Sequence, residues 1–203
     1  ARDGGCRAMD ALTNALLEAG HEVRVFAIGT EKHPVLPEVL SKSYLERTGF
    51  VSVPVKTALH PIDALAHLLT WESYHISRFH SPLVEDVLRE ILRRELFDLV
   101  LFESLFMAPY LQIVGELSDA PCVLRAHNVE HRIWATLAHA TPGLTRRLYL
   151  RALTQQLATY EKRMLNAFDG IAAISPEDRA IFLELGATVP IEVIPFGVDV
   201  SSG

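Results

Sequence analysis

The segment RAHNVEHRIW, residues 125–134, sets Arg125, His127, Asn128, Glu130 and His131 directly behind the apolar run PCVL. Polar residues that abruptly replace a buried strand pattern mark a strand exit, where open α/β sheets bind ligands. A histidine there can take or give a proton near neutral pH, and it can hydrogen-bond a phosphate or a sugar hydroxyl. Glu103 closes a second apolar run, LVLFES. Its carboxylate can hold a sugar hydroxyl or pair with Arg125 across a sheet. A third candidate is the turn Asp3-Gly4-Gly5, which leads straight into a helical pattern. Glycines ahead of a helix let backbone N–H groups approach phosphate or sugar oxygens closely.

Each candidate also has a purely structural account. Asn128 can cap the following helix with Glu130 in support, leaving His127 satisfied in the turn. The functional account is favoured for His127 and the structural one for His131. For Glu103 the two accounts stand level. The Gly-Gly turn lacks a third glycine and a following Gly-Lys-Ser/Thr, so it is neither a dinucleotide fingerprint nor a Walker loop. On its own it reads first as a tight strand-to-helix turn. Ser175 reads as a helix cap. Arg146, Arg147 and Arg151 lie on an amphipathic helix and read as a solvated face rather than a membrane foot. His60, His67, His75 and His80 contain no i, i+4 pair and have no cysteine partner, so no metal site is expected.

The elements that position these residues alternate. Helices are expected over Cys6–Ala19 with Gly20 as the C-cap, over 61–78 and 82–94, over 145–168, and from Ser175 to Gly186. The last has Ser175 at the N-cap, Pro176 at the first helical position and acids in the first turn. Strands are expected at 22–28, at 50–55 with Pro54 marking an edge, and within FDLVLFES, APCVLRAH, GIAAIS and IEVIPFGVD. The segment 29–37 reads as a loop. Strand–helix alternation of this kind implies an α/β fold with a parallel sheet and helices on both faces, in one domain.

Composition bounds the partners. The chain has 203 residues, 49% of them hydrophobic, enough for a substantial core. A net charge of −6 argues against a phosphate-tracking nucleic-acid binder. Cys6 and Cys122 make neither a zinc cluster nor a disulfide framework, which fits a cytoplasmic protein. No apolar stretch reaches membrane-spanning length, and contact with a membrane surface has no support in the sequence. No cofactor is implied.

The ordered set of segments resembles family 4 glycosyltransferases of the GT-B architecture. DGGCRAMDALTNALLEAGHEVRVFAI resembles the opening of their N-terminal domain, and FDLVLFESLFMAPYL their mid-domain strand and helix. VLRAHNVEHRIW is similar to the segment bearing their active-site histidine. IAAISPEDRAIFLELG and IEVIPFGVDV resemble the final strand pair before the interdomain hinge, with Phe196 where the family usually has Asn.

The resemblance implies a Rossmann-like doubly wound parallel sheet over residues 1–203, the acceptor-side domain of a retaining transferase. The strand before Ala1 and the C-terminal donor-binding domain would be missing, and the fragment alone would transfer no sugar. It further implies a nucleotide-sugar donor and a sugar, lipid or small-molecule acceptor, with no metal in the chemistry. His127 would be catalytic. Gly4, Gly5, Glu103, Arg125 and Asn128 would contact donor or acceptor. From its position along the chain, the region 29–80 is expected to choose the acceptor. The alternatives are a non-catalytic α/β domain that binds a ligand or partner, a nicotinamide or flavin enzyme, and an epimerase or hydrolase on the same fold.

Overall fold

The computed structural model describes residues 4–57 and 73–197. It is a mixed α/β structure of parallel sheets with helices on both sides. The chain divides into two compact units, one spanning 1–57 with 196–203 and the other 58–195. Six strands are expected from the sequence. The six described strands hydrogen-bond as a parallel pair and a parallel set of four.

The first unit opens with helix α1 (Gly4–Glu18), and Gly20 follows at φ +89°. The backbone N–H groups of Gly20 and His21 reach back to Leu17 and Leu16, which closes the helix as a left-handed cap requires. Strand β1 (Phe26–Gly29) pairs in parallel with β2 (Val51–Pro54). It is shorter than the expected 22–28, because the first backbone bond toward the neighbouring chain is made by Val25, to Thr48. Between the strands lies helix α2 (Lys42–Thr48), which the sequence pattern did not reveal. Ser41 caps it by accepting from the Tyr44 N–H, and Gly49 ends it at φ +50°. A side chain at position 49 would have to displace the Arg24 guanidinium, and the positive φ is the restriction that favours glycine there.

The second unit holds strands β3 (Val100–Phe102), β4 (Cys122–Ala126), β5 (Gly170–Ala173) and β6 (Ile191–Val193), parallel and in sequence order. Parallel strands covered on both faces should be apolar throughout, and all four residues of β5 are buried. Helix α3 (Tyr74–Ser77) is the described part of the expected helix 61–78; the rest lies outside the described residues. Helix α4 (Pro82–Arg94) matches its expected bounds and buries Val84, Ile91 and Leu92. Burying each such side chain contributes about 1.5–3 kcal/mol.

After β3 the chain runs through a 3₁₀ segment (Leu105–Tyr110) into helix α5 (Leu111–Leu117). Tyr110, only 1% exposed, anchors this turn. Its hydroxyl donates to the Phe79 carbonyl at 2.6 Å and accepts from the Ser81 N–H at 3.0 Å. Burial pushes its pKa up to about 12. Helices α6 (Glu130–Ala140) and α7 (Leu144–Leu165) follow β4 and form a hairpin joined by 141–143. Helix α8 (Pro176–Glu184) has the cap read from the sequence, with Ser175 Oγ accepting from the Asp178 N–H at 3.0 Å. No described helix is long and apolar enough to cross a membrane.

Candidate functional site

Strand register brings the polar residues of two strand exits together. Val100 of β3 lies opposite Cys122 of β4 and Phe102 opposite Leu124, so one step further Glu103 comes level with Arg125. Arg125 and His127 are two residues apart, which in extended chain sends both side chains to one face. The three meet accordingly. Arg125 Nη1 donates to both carboxylate oxygens of Glu103, at 3.1 and 3.2 Å, and His127 Nε2 lies 2.6 Å from Glu103 Oε2. Arg125 is sealed in, with 4% of its side chain exposed, whereas Glu103 keeps 23% and His127 11%.

A carboxylate that accepts from a guanidinium on both oxygens offers only lone pairs to a third partner. The hydrogen in the Glu103–His127 contact is therefore assigned to Nε2. Arg125 offsets the negative charge of Glu103 at the strand end. Ser104, the next residue, adopts φ 155° and ψ 153°, a region that side chains rarely enter. Its Oγ accepts from the Phe106 N–H at 3.2 Å and starts the 3₁₀ segment. The chain thus turns sharply away directly after presenting Glu103.

A second cluster lies one turn along the chain. Helix α6 begins at Glu130, and its N-cap, Val129, has no side chain able to accept. Asn128 does not cap the helix, contrary to the structural account of that residue; it is exposed and hydrogen-bonds Glu130. The cap comes instead from Glu161 of α7, which accepts from the backbone N–H of Glu130 at 2.9 Å and of His131 at 3.3 Å, and pairs with His131 Nδ1 at 2.5 Å. A negative carboxylate at a helix N-terminus satisfies orphan donors and complements the helix dipole. Glu161 is 2% exposed. Burial, then the nearby charge of Glu161, pushes the Glu130 carboxyl up to about 7, against the pull of its bond from Asn128. The ring of His131 is thereby tied to the same carboxylate that caps its helix.

The remaining candidates separate. Gly4 and Gly5 form the first turn of α1 in the other unit. His75 is 1% exposed with its ring centroid 3.8 Å from that of Trp134, and burial, then Arg78, holds its pKa down at about 4. His80 pairs with Glu85 at 2.6 Å. His60 and His67 lie outside the described residues. Among the described residues no three His, Cys, Asp or Glu side chains are grouped so as to hold a metal ion.

Sequence reasoning paired Glu103 with Arg125 but not with His127, and it passed over Glu161 altogether. A signal for Glu161 existed. It falls in the four-residue stripe of Leu153, Leu157 and Leu165, the buried face of α7.

Residues 2–202 match the family model Glycosyltransferase Family 4. The chain belongs to that family. No curated protein and no solved structure matches it. Membership makes the four-stranded unit part of a Rossmann-like GT-B domain.

Proposed function

We propose that this chain is the acceptor-side domain of a retaining glycosyltransferase, which moves a sugar from a nucleotide-sugar donor to a glycan, lipid or small-molecule acceptor. The observation that carries the reading is the 2.6 Å contact of His127 with Glu103 at the exits of two neighbouring parallel strands. Glu103 fixes the ring plane and the Nε2 hydrogen, and Arg125 holds Glu103. His127 then orients the transferring sugar and offsets the negative charge that builds on the departing phosphate. The exposed side chain of Asn128 binds sugar hydroxyls beside it. The N–H groups of Gly4 and Gly5, at the start of α1, approach donor phosphate or acceptor. A second domain would bring the nucleotide and, on closing, align donor with acceptor and expel water. The chemistry calls for no metal and no further cofactor.

The test is transfer from a panel of nucleotide sugars by the intact protein, beside His127→Ala. Turnover with one donor that falls by about 10²–10⁴-fold in the variant, with folding unchanged, is the expected result. No turnover with any donor would favour a non-catalytic ligand- or partner-binding domain. A variant as active as the parent would return His127 to the turn.

A further inference from the structure

Charge is distributed unevenly along the chain. No Asp or Glu occurs between Glu130 and Glu161, although the whole protein carries a net charge of −6. Those two flanking acids are themselves buried, at 8% and 2% exposure. The surface of the α6–α7 hairpin is therefore basic, with Arg132, Arg146 and Arg151 all exposed. The same hairpin exposes four large apolar side chains: Ile133 at 48%, Leu137 at 48%, Leu144 at 62% and Leu148 at 53%.

These residues are ordered. Ile133 and Leu137 are four apart on α6, and Leu144 and Leu148 four apart on α7, so each pair forms a stripe on its own helix. Arg151 continues the α7 stripe. The bonds from Glu161 to the start of α6 show that the helices run antiparallel, with their connection at 141–143. Leu137, Leu144, Leu148 and Arg151 therefore gather toward the hairpin tip, with Arg132 beside the α6 stripe, whereas Arg146, two residues from each α7 leucine, projects from the other side of its helix. Single exposed leucines are ordinary. A solvated helix face usually mixes both signs of charge. Here one sign flanks apolar side chains that face water.

We propose that the tip of the α6–α7 hairpin docks on the surface of a lipid bilayer containing anionic lipids. Arginines at its flank pair with lipid phosphates, while Leu137, Leu144 and Leu148 enter the headgroup–acyl boundary. The hairpin lies on the membrane and does not cross it, in keeping with the lack of a spanning helix among the described residues. Nucleic acid would use the arginines but gain nothing from the leucines. This departs from the solvated-face reading of Arg151, and it does not depend on the proposed transferase activity.

Cosedimentation of the full chain with vesicles tests it, comparing phosphatidylcholine alone with an equal mixture of phosphatidylcholine and phosphatidylglycerol. The parent should pellet with the anionic vesicles, release with added salt, and ignore the neutral ones. Arg132→Gln/Arg151→Gln and Leu144→Ser/Leu148→Ser change exposed side chains only, so the fold should survive, which circular dichroism checks. Each pair should weaken partitioning by about tenfold or more. No pelleting of the parent with anionic vesicles, or equal pelleting with neutral ones, overturns the proposal. So does a leucine variant that binds like the parent, which would mark a plain polyanion site for an acidic protein or nucleic acid.

Discussion

Two histidine–glutamate pairs lie four residues apart along the chain, and they do different work. His127 meets Glu103 through Nε2 at 2.6 Å, and His131 meets Glu161 through Nδ1 at 2.5 Å. The partners separate them. Glu103 shares its carboxylate with the Arg125 guanidinium and keeps 23% of its side chain exposed. Glu161 spends its own on two backbone N–H groups and is almost wholly sealed. An imidazole–carboxylate pair is thus not a functional signature in itself. In the first, the charge of Glu103 is balanced from behind by Arg125, and the carboxylate rather than the ring is the more open partner, at 23% against 11%. The second fixes the start of α6, and with it the position of the loop that carries His127.

The largest expected contrast is in stability. Glu161→Ala removes the acceptor for two backbone donors and leaves the His131 ring without its buried partner, so it should destabilise the fold by about 3–5 kcal/mol. His127→Ala leaves Glu103 still paired with Arg125, so it should cost less, on the order of 1 kcal/mol. Urea unfolding of both variants measures the difference. Equal losses would erase the distinction between scaffold pair and site pair.

A smaller effect belongs to Glu130, which sits between the pairs. Its carboxyl is raised from 4.5 to about 7, so between those values the folded chain holds the proton more tightly than the unfolded chain does. The stability it contributes is complete below about pH 4.5 and is lost as pH rises through 7. Glu130→Gln keeps a neutral side chain at every pH and removes that loss. Above pH 7 the variant should be more stable than the parent by up to roughly 3 kcal/mol, and near pH 4.5 the two should converge. Parallel curves of unfolding free energy against pH would show that the carboxyl titrates in its ordinary range.

Much of this was legible from sequence where local chemistry decides. The cap at Ser175, the start at Pro82 and the apolar runs of β3, β4 and β5 are each set within a few residues, and they were found. Helix α2 was missed although Ser41 and Gly49 bracket it, because seven residues give too little periodicity to rise above a loop. At the site, Arg125, His127 and Glu103 were visible as residue types at strand exits. That Glu103 reaches His127 as well as Arg125 depends on the β3–β4 register, which no local pattern encodes. The Glu161 cap was hidden for a related reason. Its target lies some thirty residues earlier, and a glutamate in an Arg- and Lys-containing helix resembles an ordinary surface charge.

The finest distinction between the pairs is a single hydrogen. Glu103 accepts from Arg125 and Glu161 from backbone, so in each pair the ring nitrogen must be the donor. The neutral rings should therefore carry opposite tautomers, Nε2–H in His127 and Nδ1–H in His131. Nitrogen NMR of labelled histidine, recorded on the alkaline side of the imidazole range, separates pyrrole-type from pyridine-type ring nitrogens directly. Opposite patterns at the two residues would confirm that Glu103 orients His127. An Nδ1–H tautomer at His127 would mean that the ring does not donate to Glu103, and the carboxylate would then be free to hold a sugar hydroxyl itself. The fold would be unaffected, but the roles of the two residues at the strand exits would be exchanged.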